Sequence, residues 1–297
     1  MMGVGVLAIS GLALGPASAS AGPTAGPLEY EPLSTVAGAG SGATLTAACS
    51  APERVTGGGG AIEATGTLNG EQDSALASIA PYDGSDLDHF ADDGFRAVAM
   101  NGTNDYREVS ATAICLKDAA SVSYAKNAID LSSTEVSQGA ACEEGKLLGG
   151  GAYVGPPHDQ GSALVSTTPY DDAADANRLA DDGWFYRAIR DGTASIDVAA
   201  HAICLPKGER KLRYRSKSTT VGPSAKVGGP AAGAAKVKCP KGSHASGGGV
   251  GGDLLVRASE PYDGADADIA PDDGWSARFY SPGGAEEEVS IRVICVG

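Results

Sequence analysis

The sequence of this chain predicts an all-β fold built from one unit used three times. Three observations carry that reading. An ordered set of landmarks occurs three times, one pair of cysteines brackets each set, and the stretches between landmarks alternate apolar with polar residues. In the first copy the landmarks are Cys49, Gly57 to Gly60, Pro81-Tyr82-Asp83-Gly84, Asp92-Asp93-Gly94-Phe95 and Ala113-Ile114-Cys115. The second copy has Cys142, Gly149 to Gly151, Pro169-Tyr170-Asp171, Asp181-Asp182-Gly183-Trp184 and Ala202-Ile203-Cys204. The third has Cys239, Gly247 to Gly249, Pro261-Tyr262-Asp263-Gly264, Asp272-Asp273-Gly274-Trp275 and Val293-Ile294-Cys295. Chance does not produce that order three times, so the repeat is secure.

Each copy is preceded by a tyrosine lead-in at Tyr30, Tyr124 or Tyr214, which places repeats over residues 28–116, 122–205 and 212–297. Trp275, Ala277 and Phe279 alternate with Ser276, Arg278 and Tyr280, and the runs into Cys115 and Cys295 alternate in the same way. That period of two is the signature of strands with one buried face. Asn69-Gly70 and Asn101-Gly102 are turn signals between such runs. About six strands per copy result, which predicts three tandem β-sandwich-like repeats. A single three-sided β-prism is the alternative arrangement.

Six cysteines allow fifteen pairings. One cysteine early and one at the end of each copy make Cys49–Cys115, Cys142–Cys204 and Cys239–Cys295 the economical set. Closing loops of that size contributes about 4 kcal/mol each in the chain-entropy model. Zinc is a poor rival, because no Cys-x-x-Cys occurs and the four histidines, His89, His158, His201 and His244, do not recur in register. Disulfides imply an oxidising compartment. Residues 1–21, an apolar run ending in Ala17-Ser-Ala-Ser-Ala21, read as a secretory signal too short to span a bilayer. The expected location is therefore extracellular, with no membrane span.

The chain carries a formal charge of −15 and a pI near 4.6, which disfavours nucleic acid as a partner. The acidity gathers after each Pro-Tyr, with five aspartates per copy. Two such charges about 5 Å apart repel by roughly 3 kcal/mol at an effective dielectric of about 20. A compact loop of this kind needs a cation or full solvation. Oxygen donors without His or Cys select a hard ion, and a flexible loop suits calcium. The expected calcium ligands are Asp83, Asp86, Asp88 and Asp93; Asp171, Asp175 and Asp182; and Asp263, Asp266, Asp268 and Asp273. The loop is not an EF-hand, lacking the central Gly and terminal Glu. Aspartates acting only as turn formers are the competing reading.

The glycine runs lack the Gly-Lys-Ser/Thr of a phosphate cradle. They read instead as places where a backbone or ring comes close, and Phe95, Trp184 and Trp275 are the rings expected there as core anchors. Tyr82, Tyr170 and Tyr262 are the candidates for stacking on a sugar. The histidine positions do not assemble a catalytic set, although paired aspartates are the apparatus of glycoside hydrolysis. Between Lys207 and Lys241 ten Lys and Arg stand against Glu209 alone, a basic stretch suited either to an exposed edge strand or to an anionic wall polymer. Asn101-Gly-Thr matches a glycosylation acceptor but reads better as a turn.

Taken together, Cys-Pro-x-Gly, Gly-Gly-Gly, Pro-Tyr-Asp-Gly-x-Asp-x-Asp, Asp-Asp-Gly-Trp and Ile-Cys, best seen from Cys239 to Cys295, resemble a module of secreted proteins from high-GC Gram-positive bacteria. The resemblance implies export and disulfides. Three disulfide-marked repeats also resemble, faintly, the vitelline membrane outer layer proteins, which implies the β-prism. The expected function is non-enzymatic: calcium-dependent, lectin-like binding of a cell-surface glycan or wall polymer. A structural envelope protein stabilised by calcium and an extracellular glycan hydrolase are the alternatives.

Overall fold

A computed structural model describes residues 28–64, 74–84, 90–117, 121–131, 133–155, 162–172, 179–190, 195–222, 231–264, 268–281 and 286–297. The proposed signal, the Asn69-Gly70 turn, His89, His158 and four of the expected metal ligands, Asp86, Asp88, Asp175 and Asp266, lie outside the described residues.

Alternation of the kind seen before Cys295 builds strands and nothing else among the described residues. The first repeat supplies β1 (Leu28–Ala37), β2 (Ser41–Ala48), β3 (Arg54–Ala64), β4 (Ser74–Tyr82), β5 (Gly94–Asn101) and β6 (Arg107–Leu116). The second supplies β7 (Ser123–Leu131), β8 (Glu135–Ala141), β9 (Lys146–Val154), β10 (Ala163–Tyr170), β11 (Gly183–Ile189) and β12 (Ile196–Leu205). The third supplies β13 (Leu212–Val221), β14 (Ala231–Lys238), β15 (His244–Gly251), β16 (Leu255–Tyr262), β17 (Gly274–Ser281) and β18 (Glu287–Val296). The all-β class and six strands per repeat are as the alternation requires.

The strands form three antiparallel six-stranded sheets, and every sheet is shared by two repeats. The first sheet runs β1-β6-β3-β16-β17-β14, the second β2-β5-β4-β9-β12-β7 and the third β13-β18-β15-β10-β11-β8. Each repeat therefore splits into two three-stranded halves that join different sheets. Of the two arrangements open to the sequence, this sharing is that of one three-sided body. The seams between repeats are short: Ala258 and Ser259 pair Ala61 and Gly60, Ile79 pairs Ala152, and Thr167 pairs Val250.

The glycine runs explain how three sheets meet. A Cβ on Gly57 would fall on the Ser246 carbonyl, one on Gly149 on the Thr56 carbonyl, and one on Gly247 within 2.8 Å of the Gly149 Cα. The three strands β3, β9 and β15 thus touch backbone to backbone around one centre, which only glycine permits. The next glycine along, Gly58, Gly150 or Gly248, lies under the ring of Phe95, Trp184 or Trp275. Those rings are 0%, 1% and 0% exposed, so they are the anchors of a common core.

Two further devices tie the repeats into a ring. Cys49 follows β2 of the second sheet and bonds Cys115 in the first; Cys142 and Cys204 join the third sheet to the second, and Cys239 and Cys295 the first to the third. The Cα separations of 5.6, 5.7 and 5.8 Å are ordinary for disulfides. The lead-in tyrosines supply the second device. Tyr30 donates to the Ala245 carbonyl at 2.7 Å, Tyr124 to that of Val55 at 2.8 Å and Tyr214 to that of Leu147 at 2.7 Å, each reaching into another repeat.

The Asn101-Gly-Thr segment is a turn. Asn101 is 1% exposed, and its amide donates to the carbonyls of Gly38 and Asp105, both at 2.8 Å.

Candidate functional site

The two aspartates of each Asp-Asp-Gly have different tasks. The first, Asp92, Asp181 or Asp272, is buried, and its side chain pairs with Arg54, Lys146 or His244 respectively. Its carbonyl accepts the N–H of Val55, Leu147 or Ala245 at 2.8, 3.0 and 2.8 Å. These are the same residues whose carbonyls receive the lead-in tyrosines, so each acidic loop is latched to the next repeat through one residue. The signal for this pairing stands in the sequence, since Arg54, Lys146 and His244 each lie three residues before the first glycine of the run.

The second aspartate, Asp93, Asp182 or Asp273, holds the turn. Its N–H donates to the carbonyl of Tyr82, Tyr170 or Tyr262, and its carbonyl accepts from Cys49, Cys142 or Cys239. The Asp93 carboxylate accepts the Gly84 N–H at 2.6 Å and that of Asp182 accepts the Asp172 N–H at 2.9 Å. Asp268 accepts the Ala270 N–H at 2.9 Å. These are turn-forming bonds. Asp83 is half-buried, while Asp171 and Asp263 are exposed. Only in the second repeat do three described carboxylates converge: oxygens of Asp171, Asp172 and Asp182 lie within 4.8 Å of one another. Desolvation, with Asp172 beside it, raises the Asp182 carboxyl above the usual range.

The stacking candidates differ among themselves. Tyr82 is half-buried with the Arg96 guanidinium 4.0 Å from its ring centre, and Tyr262, 8% exposed, has the Lys236 ammonium at 4.3 Å. Tyr170 packs over Gly139 and Gly183.

The outer faces of the three sheets reveal a site that the repeat pattern conceals. On the first sheet Arg278 pairs with Glu63 and Glu260, and Ser110 also reaches Glu260. On the third, Arg187 pairs with Glu135 and Asp253, and Arg292 donates to the Pro169 carbonyl. These bars of charge fill both faces. On the second sheet Val98 stands where the others have Arg187 and Arg278, Ala80 stands for Glu260 and His201 for Arg292. Val98 turns instead into a small cluster with Ala77 and Met100.

With the bars gone, a groove of about 680 Å³ opens across β4, β5, β7, β9 and β12. Its floor is Ala80, Ala199 and His201, and its walls carry Tyr82, Tyr153, Phe90, Arg96, Lys126, Asp130 and Asp197. Burial, with Lys126 adding to it, pushes the His201 imidazole down to about 4, so it is neutral at physiological pH. Asp130 and Asp197 stand opposite each other on β7 and β12, and the Asp197 carboxylate raises the Asp130 carboxyl above its ordinary value. Aromatic surface, hydrogen-bond donors and a carboxylate pair therefore face one open trough. Of its residues the sequence marked Tyr82 as a stacking candidate; the others were missed because their signal is a departure from the repeat, not the repeat itself.

No protein-family model matches the chain, and no curated protein matches it.

Proposed function

We propose that this is an exported, non-enzymatic binding protein whose ligand is a glycan seated in the groove of the second sheet. One observation carries the reading: among the described residues, the second sheet has Val98, Ala80 and His201 where the other faces carry Arg–carboxylate bars, and a trough there is lined by Tyr82, Tyr153, Asp130, Asp197, Arg96 and Lys126. Aromatic rings with a polar tip suit the apolar face of a sugar, and carboxylates and cations beside them suit its hydroxyls. Asp130 and Asp197, exposed and directly opposite each other on β7 and β12, are placed to accept hydroxyls of one bound sugar. Calcium enters the proposal as a stabiliser. Hard oxygen donors such as Asp171, Asp172 and Asp182 fit its chemistry.

A glycan array probed with the full chain, with and without chelator, tests both parts. Binding is expected to at least one neutral glycan and to fall at least tenfold in Tyr153→Ala and in Asp197→Asn. Binding unchanged in both variants would remove the groove from the proposal. Calcium at ten times its dissociation constant adds about 1.4 kcal/mol per site, so chelation lowers the melting temperature by a few degrees. A melting temperature indifferent to chelator leaves the loops as turn formers only.

A further inference from the structure

We propose that the edge formed by β13 and β14 is a docking surface for a linear polyanion, namely a phosphate-bearing polymer of the cell surface. Arg213, Arg215 and Lys217 are exposed and alternate along β13, the edge strand of the third sheet. Alternate residues of a strand are about 6.7 Å apart, so the three charges form a row of about 13 Å. β14, the edge of the first sheet, packs beside β13 and adds exposed Lys238. None of these four cations pairs with a described residue. The acids of β18, Glu287 and Glu288, sit opposite Val221 and Thr220 at the far end of β13. Glu209, in the turn before the strand, accepts a hydrogen bond from Ser121.

The threefold scaffold supplies its own control. Charge on an edge strand, Lys above all, is a common protection against strand pairing. At the positions of Arg213, Arg215 and Lys217 the first repeat has Glu29, Glu31 and Leu33, and the second has Ser123, Ala125 and Asn127. Two equivalent edges of the same scaffold do without a cationic row, so edge protection alone does not require one in a chain that is otherwise strongly acidic. A regular line of like charge fits a regular line of opposite charge. Nucleic acid fits less well, because unpaired bases seek aromatic platforms. The one aromatic on β13, Tyr214, is anchored through its hydroxyl to the Leu147 carbonyl.

The test titrates the full chain with inorganic polyphosphate of defined length over a range of salt, with single-stranded DNA and neutral dextran as comparators. Polyphosphate binding is expected to weaken with salt. The triple variant R213S/R215S/K217S should lose at least tenfold in affinity, and the log–log salt slope should drop by roughly 2 for three lost phosphate contacts. Tyr153→Ala, which tests the groove, should leave this binding unchanged, so the two proposals fail separately. Retention of full affinity by a triple variant whose three disulfides are intact overturns the assignment. So does DNA bound as tightly as polyphosphate, or no binding at all.

Discussion

At the position after Asp-Asp-Gly the repeats carry Phe95, Trp184 and Trp275, and the residue two before Pro-Tyr changes with them. The Trp184 indole donates to the Thr167 hydroxyl at 2.9 Å and that of Trp275 to Ser259 at 3.0 Å. The first repeat has no donor in Phe95 and Ile79 where the hydroxyl would be. A buried N–H without an acceptor is costly, and so is a buried hydroxyl without a partner. Trp275→Phe is therefore expected to cost about 3 kcal/mol, part from lost volume and part from the orphaned hydroxyl. In the double variant with Ser259→Ala, about 1 kcal/mol of that loss should not reappear as a sum. Urea unfolding of the two single variants and the double measures the coupling, and strict additivity would show that the hydrogen bond contributes nothing. The ring as core anchor was legible in the sequence. Its partner was not, because a lone Ser or Thr on a strand carries no sign of what it faces.

At the scale of elements, the glycine strands β3, β9 and β15 decide whether the sheets can meet. Gly149→Ala drives a methyl into the Thr56 carbonyl of another repeat, and backbone cannot yield as a side chain does. Destabilisation by more than about 3 kcal/mol is expected, as for the worst overpacked cores. Gly208 provides the contrast. A Cβ there meets nothing within 4 Å, and the only obstacle is its φ of +91°. Gly208→Ala should cost about 1 kcal/mol. Equal melting temperatures for the two alanine variants would contradict the backbone contact. The triple glycine pointed to close approach without saying to what, since the approaching strand belongs to a different repeat.

For the whole molecule, sharing of sheets makes the three repeats one folding unit. Residues 122–205 alone hold β9, β12 and β7 without β4, and β8, β11 and β10 without β15. Both half-sheets then expose an open edge, and the glycines of β9 face no backbone. The isolated segment, oxidised, should show no cooperative thermal transition, whereas the full chain should unfold in one. A sharp melt of the fragment, followed by near-ultraviolet circular dichroism, would show that sharing is dispensable. The ring of disulfides works at the same scale, because each closes a loop and also ties one sheet to the next, at about 4 kcal/mol apiece.

By itself the sequence determined the β class, the six strands per repeat, the pairing of cysteines and the rings that fill the core. All of these follow from local alternation and from order along the chain. The tertiary structure alone decided which repeat completes which sheet, what the glycine runs approach, and that side chains from β4, β5, β7, β9 and β12 come together around one groove. The physical reason is degeneracy. Three like repeats offer near-equivalent edges, so strand partners across a seam are chosen by packing around shared glycines, and a face becomes distinctive only when side chains distant in sequence are placed side by side.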